Sequence, residues 1–330
     1  MIQSSKLFKL IQVFPWISKF ITVSSGYKPD IESEKDYIFG ASELTKSVIK
    51  PDGQWTQSLP ADEVQRGNYV ETMGCTGYGL LNVLETIVKL KNGTIWNKSD
   101  RYTNKMTGTG RNGNGMKNVL DITRKSAGLV DETTYPWNRE TFDWNQYYSA
   151  VPVNIQKLGE NWLKEYQIGY EKVWCNKQLM MEAIKYSPLY VAGYAWYQKD
   201  GLYRSYGQAN HCFTIVGYVE GSHWIAYDSY SPHLKHLDWD FSFGGCYIVL
   251  VDKINKDYNQ SEIDKLIKRG FKYVMRTNVF EGGKGQIYEL SSKGLKELTE
   301  KDKMTEAVKE LSLKKDLTGI SEEGFGKLLK

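Results

Sequence analysis

The chain contains little cysteine. Its 330 residues include four thiols, Cys75, Cys175, Cys212 and Cys246, and no two of them form a Cys-x-x-Cys pair. This excludes a zinc ribbon, whose ligands come in such pairs. Four thiols could form two disulfides at most, which are too few to stabilise a chain of this length. We therefore expect free thiols in a reducing compartment such as the cytoplasm, or in a virion-associated protein.

A large excess of charge is missing as well. The 43 Lys and Arg residues nearly balance the 39 Asp and Glu residues, which gives a formal net charge of +4. Nucleic-acid-binding domains usually carry a clear basic excess on one face. The sequence therefore predicts no nucleic-acid partner.

No apolar run is long enough to cross a bilayer. The stretch KLFKLIQVFPWISKFITV (6–23) is interrupted by Lys9, Pro15 and Lys19, whereas a spanning helix needs about 20 predominantly apolar residues. No clean small-residue cleavage site follows, so a signal peptide is not indicated. We predict an amphipathic helix packed on the body of the protein, with docking to a partner or a membrane surface as the alternative.

Motifs for metals and phosphates are weak. HLKH (233–236) has one histidine spacing seen in metal sites, but no third ligand is apparent, and we interpret it as a solvated loop. The glycine-rich stretch TGTGRNGNG (107–115) lacks the Gly-Lys-Ser/Thr ending of a phosphate loop and follows no strand. We expect neither a metal nor an organic cofactor.

The chain does contain an ordered change from helical to strand patterning. Apolar residues recur at helical spacing from Cys75 to position 90, and shorter helices are predicted near 116–127 and 176–186. After Pro188, short β-rich runs separated by Gly, Asp and Ser predict an antiparallel sheet or barrel. Helices followed by strands indicate an α+β domain with two lobes.

Composition divides the chain into three predicted parts. Residues 1–50 hold the N-terminal amphipathic and extended segment, and residues 51–252 form the α+β domain. Residues 253–330 are rich in Lys, Glu, Leu and Ser, and we predict that they form a small accessory α/β domain or tail. This last part contains a charged amphipathic helix and a hairpin around GGKG (282–285). Either terminal part could dock a partner.

Three residues in order could carry nucleophilic catalysis. Cys75 opens the long helix, His211 opens an apolar strand 136 residues later, and Asp228 ends the following strand. A thiol needs a base to become a thiolate, and the base needs an acceptor that orients it. A helix N-terminus favours the thiolate further. The ordinary alternatives are a buried structural cysteine, a packed core histidine and a turn aspartate.

Several other strings occur in the same order as in papain-like cysteine proteases, which residues 60–250 resemble. They are NGNGMKNVLDITRKSAGLVDETTYPW (112–137), MMEAIKYSPLYVAGYAWY (180–197), DGLY (200–203), ANHCFTIVGY (209–218) and YDSY (227–230). The resemblance implies a two-lobed fold with a helical lobe, a β-barrel-like lobe and a cleft between them. It also implies that Cys75, His211 and Asp228 form the catalytic triad, and that Gly113 and Gly115 line the cleft where peptide backbone approaches closely.

The sequence departs from the family pattern at several positions. Asp228 replaces the usual asparagine, so Asp228→Asn is expected to be tolerated. Tyr230 replaces the tryptophan that shields the histidine in the family. Tyr69 occupies the place of the oxyanion glutamine, which leaves Gln65 as the candidate for that role. Residues 1–50 are short and unlike the family's inhibitory propeptide.

These features together predict a thiol hydrolase that cleaves peptide bonds in peptide or protein substrates through a thioester. Two alternatives stay open. One is a Cys-His-Asp amidase or transglutaminase-type acyl transferase. The other is a catalytically weak structural or binding protein of a phage particle or assembly.

Overall fold

The computed structural model describes residues 26–30, 38–39 and 48–253, together with three strands farther along the chain. The chain divides into two compact units. The larger includes Lys46–Asp252 and the smaller includes Lys253–Lys330.

The helices of the larger unit precede most of its strands. A 3₁₀ turn at Thr56–Ser58 comes first, and a π turn at Thr123–Ala127 extends the third helix. The α-helices are α1 (Cys75–Asn92), α2 (Asp100–Met106), α3 (Met116–Ile122), α4 (Trp144–Tyr147), α5 (Val153–Trp162) and α6 (Lys177–Ala183).

Helix α1 is the central element of this unit. It begins at Cys75, as the apolar periodicity predicts, and ends before Gly93, whose left-handed backbone lets its N–H donate to Lys89 O. The residues from Cys75 to Val88 are all buried, because the helix packs against the sheet on one side and α2 and α3 on the other. Burial on all sides fits a helix that is apolar around most of its circumference.

Eight strands form one sheet in the order β1-β8-β2-β5-β6-β7-β4-β3. The pairings between neighbouring strands from β8 to β7 and between β4 and β3 are antiparallel, and β4 pairs with β7 in parallel. The strands are β1 (Tyr166–Lys172), β2 (Leu189–Gly193), β3 (Tyr197–Lys199), β4 (Leu202–Arg204), β5 (His211–Val219), β6 (His223–Tyr227), β7 (Leu234–Asp238) and β8 (Phe243–Lys253).

The core lies where α1 packs on β5 and its neighbours. Leu84 and Ile87 of the helix and Val191 of the sheet are fully buried, and each such side chain stabilises the fold by roughly 1.5–3 kcal/mol. Two hydrogen bonds fix the helix to the strands: Tyr190 Oη donates to Thr76 O at 2.6 Å, and Thr214 Oγ1 donates to Gly79 O at 3.2 Å. The first turn of α1 is therefore held at a set position over β2 and β5.

The interpretation of HLKH as a solvated loop is wrong. Residues 234–238 form strand β7, and Lys235 is only 2% exposed while the neighbouring Leu234 is 47% exposed. The polarity of these two residues is the reverse of the ordinary one, and it arises because the buried Asp228 carboxylate, directly after β6, lies next to the lysine. Strand β1 and helices α2, α4 and α5 were also not predicted.

The smaller unit contains a three-stranded sheet in the order β11-β10-β9. Strands β9 (Tyr273–Arg276) and β10 (Gln286–Ser291) pair antiparallel, as a hairpin around GGKG requires, and β11 (Gly294–Glu297) pairs antiparallel with β10. The helices predicted near the N-terminus and after Lys253 lie outside the described residues. The independence of residues 253–330 stays a prediction.

A group of buried carboxyl groups lies beside α1 and α2. Burial raises the pKa of Glu85 and of Asp100 well above the ordinary range. Burial, reinforced by the charge of Glu63, also raises the pKa of Glu132 to about 7. The folded protein therefore holds protons here that the unfolded chain releases at lower pH.

We predict that Glu132→Gln makes the stability less dependent on pH. Because the folded-state pKa of Glu132 is raised from 4.5 to about 7, its contribution is present below pH 4.5 and is lost as the pH rises to 7. The free energy of urea unfolding of the native chain should fall over this window, and in the variant this fall should be smaller by about 2–3 kcal/mol. The exposed Glu140 supplies the control, Glu140→Gln. An identical slope in all three proteins would contradict the assignment.

Candidate functional site

Three elements bring the predicted nucleophile, base and acceptor into one region. Cys75 lies at the start of α1, His211 at the start of β5, and Asp228 directly after β6. The register of β5 and β6 sets Thr214 opposite Tyr227, so the next residue, Asp228, lies within reach of His211. All three side chains are fully buried.

His211 and Asp228 form a close hydrogen-bonded pair. His211 Nε2 lies 2.6 Å from Asp228 Oδ1. The other ring nitrogen, Nδ1, has no hydrogen bond of ordinary geometry within the described part of the chain, yet contact with the Cys75 thiol contributes to the pKa of the ring. Nδ1 is therefore the nitrogen available to the thiol.

Burial and the Asp228 carboxylate act in opposite directions on the pKa of His211. Burial acts to lower the pKa of the imidazole, but the Asp228 carboxylate outweighs it and, with a smaller contribution from Cys75, raises the pKa to about 10. At neutral pH the ring is an imidazolium beside a carboxylate.

Asp228 has a second cationic partner. Lys235 Nζ lies 2.8 Å from Asp228 Oδ2, on the oxygen that His211 does not use. Burial acts to raise the pKa of Asp228, but the charges of His211 and Lys235 outweigh burial and lower it to about 2. The carboxylate therefore stays ionised although it is fully buried.

Aromatic rings enclose the imidazole. The ring centroids of Trp196 and Tyr230 lie 5.7 and 5.4 Å from that of His211, and that of Phe213 lies 6.1 Å away. Tyr230 thus keeps an aromatic ring near the histidine at the position where the sequence departs from tryptophan. These rings exclude water from the pair, which strengthens its electrostatic interaction.

Gln65, the candidate oxyanion residue, is fully buried and tightly held. Its Nε2 donates to Glu71 Oε1 at 2.8 Å and to Tyr230 Oη at 2.7 Å, and its Oε1 accepts from Ser229 Oγ at 2.8 Å. Gln65 therefore lies in the network beside the His211 ring, with both amide hydrogens engaged. Tyr69, which takes the usual glutamine position in the sequence, is 72% exposed.

Residues 26–30 of the chain itself lie along the glycine-rich loop, between that loop and the start of β5. Asn114 N donates to Gly26 O and Lys28 N donates to Asn114 O, both at 2.8 Å, while Tyr27 N donates to Asn210 O at 3.3 Å. Tyr27 and Asn114 pair in parallel. These contacts place an extended peptide against the residue that precedes His211.

The close approach of this segment requires glycine in the loop. Gly113 has φ of +74°, and a Cβ placed on it would lie 1.7 Å from Gly26 O. A Cβ on Gly115 would lie 2.7 Å from Asp30 Oδ1. Of the two glycines predicted to line a cleft, Gly113 thus lies against extended backbone that only a residue without a side chain permits, whereas Gly115 lies against the Asp30 side chain.

The same segment covers the thiol. A Cβ placed on Gly26 would lie 3.1 Å from Cys75 Sγ. Asp30 anchors the segment, because its Oδ1 accepts from Lys117 N at 3.0 Å and its Oδ2 accepts from Tyr247 Oη at 3.1 Å. Gly26 therefore lies against the buried Cys75 thiol.

Within the residues that the structure describes, no group of three or more His, Cys, Asp or Glu side chains is arranged to hold a metal. The helices in that part of the chain are likewise too short or too polar to cross a membrane.

Sequence reasoning missed Lys235 and the segment at 26–30. The available signal for Lys235 was the alternation Leu-Lys-His-Leu-Asp (234–238), which has strand period but places the lysine in phase with Leu237. Nothing local in residues 26–30 indicates their partners, because Asn114 and Asn210 are far away in the sequence.

Comparisons by sequence find no matching protein-family model and no matching curated protein. Comparisons by structure find similar folds. The cysteine protease and lectin-like domains of Cwp84, a surface layer associated protein of Clostridium difficile, match with a TM-score of 0.51 at 13% identity, over 84% of this chain and 64% of that chain.

Two further structures match with lower scores. Clostridial cysteine protease Cwp84 after propeptide cleavage has a TM-score of 0.48 at 14% identity, over 62% of this chain and 58% of that one. Bromelain from Ananas comosus in complex with the E64 inhibitor has a TM-score of 0.45 at 19% identity, over 59% of this chain and 96% of that one. The chain thus spans less than two thirds of either Cwp84 structure.

The likeness is one of fold. The cysteine protease and lectin-like domains of Cwp84 share the architecture described above, so the chain has the α+β fold of papain-like cysteine proteases that the sequence predicts. The match extends over most of the chain at an identity that sequence comparison does not detect.

We predict that Asp30→Ala exposes Cys75. The change removes both acceptors that anchor residues 26–30, so the segment should leave the thiol more often. Brief iodoacetamide labelling followed by peptide mapping should show faster modification of Cys75, by about tenfold, relative to the exposed Cys175 of the same chain. Lys28→Ala, which removes an exposed side chain of the same segment, should leave the ratio unchanged. Equal ratios in all three proteins would show that Asp30 does not control access.

Proposed function

We propose that the protein is a thiol hydrolase that cleaves peptide bonds, with Cys75 as nucleophile, His211 as base and acid, and Asp228 as the orienting acceptor. The observation that carries this proposal is that the two nitrogens of the His211 ring have different surroundings. Its Nε2 is bonded to a buried carboxylate at 2.6 Å, while Nδ1 is left without a partner among the described residues, toward Cys75 at a helix N-terminus.

The chemistry follows from this arrangement. His211 Nδ1 holds the proton that the Cys75 thiol has given up, and the Cys75 thiolate attacks the carbonyl carbon of the peptide bond. The imidazolium then gives its proton to the leaving amine, which leaves an acyl thioester on Cys75. Neutral His211 next takes a proton from water, whose oxygen attacks the thioester and releases the acid.

Stabilisation of the oxyanion would come from two donors near Cys75. The first N–H groups of α1 have no intrahelical acceptor, and the N–H of Cys75 itself is the best placed of them. Gln65 Nε2 is the second candidate, since it lies in the network beside His211. A substrate oxygen would have to replace Glu71 or Tyr230 as the acceptor of one of its hydrogens.

The cleft supports an extended peptide as the substrate. The backbone N–H and C=O of Asn114 and the C=O of Asn210 already bind residues 26–30. A substrate that displaced this segment could use the same three backbone groups, which recognise main chain and not side chains. Gly113 and Gly115 provide room for its backbone.

The alternative of a catalytically weak or binding protein is favoured by one observation. Both Cys75 and His211 are fully buried, and residues 26–30 cover the thiol. If that segment never leaves, the site binds the chain's own backbone and does no chemistry. An acyl transferase would use the same thioester with an amine in place of water as the second acceptor.

We predict that the chain hydrolyses peptides and that Cys75→Ala and His211→Ala each reduce the rate roughly 10³-fold or more. A casein digest analysed by mass spectrometry gives the rate, and E-64 should label the protein at Cys75. Cys175→Ser, at the exposed thiol, is the matched control and should keep full activity.

Two outcomes would decide against the proposal. Absence of cleavage by both the native chain and Asp30→Ala, with Cys75 open to iodoacetamide, would favour the binding role. Transfer of the acyl group to added hydroxylamine without hydrolysis in its absence would favour the transferase.

A further inference from the structure

Lys235 is a buried lysine whose ammonium is fully hydrogen-bonded. It lies near the start of β7 and is 2% exposed. Its Nζ donates to Asp228 Oδ2 at 2.8 Å, to Tyr230 O at 2.6 Å and to Pro232 O. An ammonium has three hydrogens, so each has an acceptor.

Packing alone does not explain a lysine at this position. The rings of Trp196 and Tyr203 flank the ammonium, with centroids 5.3 and 5.9 Å from Nζ. Methionine would fill similar space beside these rings without the cost of burying a charge. The lysine is therefore explained by what it binds, and its strongest partner is the Asp228 carboxylate.

The two oxygens of Asp228 are divided between two cationic partners. Oδ1 faces His211 Nε2 and Oδ2 faces Lys235 Nζ. An asparagine has a single side-chain oxygen, so its NH₂ group would face either the ammonium or the imidazole N–H. One of the two donors would lose its acceptor in a buried place. Asp228 and Lys235 therefore require each other.

We propose that Lys235 is a positioning residue for the histidine: its ammonium keeps the Asp228 carboxylate ionised and directed at His211 Nε2, so that Asp228 and Lys235 act together as one nearly neutral acceptor. The kinetic part of this inference rests on the proposed hydrolase function. The effect on His211 protonation does not.

The charges around Asp228 and Lys235 determine the direction in which loss of Lys235 shifts the pKa of His211. Besides His211 and Lys235, the titratable groups around Asp228 include His233, whose Nδ1 lies 2.7 Å from Asp228 O, and the Tyr203 phenol and Cys212 thiol, whose pKa values the Asp228 charge helps to raise. Those that face His211 from the other side are Cys75 and, through its ring, Tyr230.

Beyond Tyr230, the charges of Glu71 and Arg66 oppose one another. Without Lys235, the Asp228 charge would be balanced by the imidazolium alone. His211 would then hold its proton more tightly and give it up less readily to a leaving amine.

A double-mutant cycle tests the proposal. Because Asp228 is paired with Lys235, Asp228→Asn should not be tolerated as the family pattern suggests: Asp228→Asn and Lys235→Met should each reduce peptide hydrolysis. The double variant Asp228→Asn/Lys235→Met should be at least about tenfold more active than the product of the two single losses predicts. Lys199→Met, at an exposed lysine of β3, is the matched control and should leave the rate unchanged.

Nitrogen-15 spectra of the histidine rings give a readout that is independent of turnover. The chain has four histidines, so His211 can be assigned from single substitutions. In Lys235→Met the imidazolium signal of His211 should persist to higher pH than in the native chain. In the double variant it should titrate closer to the ordinary value of about 6.5.

The outcomes separate the two proposals. Additive losses in the cycle, together with an unchanged His211 titration in Lys235→Met, would overturn the role of Lys235. If no protein in the set cleaves peptides but the titrations shift as expected, the hydrolase proposal fails and the role of Lys235 stands. Should Lys235→Met fail to fold, Lys235→Gln keeps polar contacts to Tyr230 O and Pro232 O without the charge and replaces it in the cycle.

Discussion

One fully buried carboxylate with two cationic partners organises this site. Asp228 binds His211 with one oxygen and Lys235 with the other, and these contacts join the start of β5, the end of β6 and the start of β7. An unpaired charge in this position would be strongly destabilising, by several kcal/mol. The paired charge holds the Nε2 side of the His211 ring and leaves Nδ1 for Cys75. The reversed polarity of β7 and the aromatic enclosure follow from the same requirement.

The segment at residues 26–30 adds a second constraint, which concerns access to Cys75. Extended backbone from residues 26–30 uses the main-chain groups of Asn114 and Asn210 and passes over Cys75. This segment closes the site in this structure, and it occupies the main-chain groups that the proposed peptide substrate would use. Reactivity of the thiol thus depends on the equilibrium that releases the segment, and on the chemistry of the pair beneath it.

The sequence predicted those parts of the molecule that depend on local pattern. The start of α1 at Cys75 and the strand from His211 to Val219 follow from apolar periodicity and a continuous apolar run. Lys235 escaped prediction because a lysine between histidines is ordinarily solvated, and its burial depends on a carboxylate seven residues earlier that is itself buried. The partners of residues 26–30 could not be inferred, since pairing over such distances leaves no periodic signal.

The most direct test of the account is the titration of His211 in the native chain and in Cys75→Ser. The account requires the Asp228 carboxylate and the Cys75 thiol both to favour the imidazolium, with a pKa of about 10 in the native chain. Nitrogen-15 spectra should therefore show an imidazolium at neutral pH in the native chain and a lower pKa in Cys75→Ser. A neutral ring that titrates near 6.5, or the same pKa in both proteins, would contradict the coupling of Cys75 to His211.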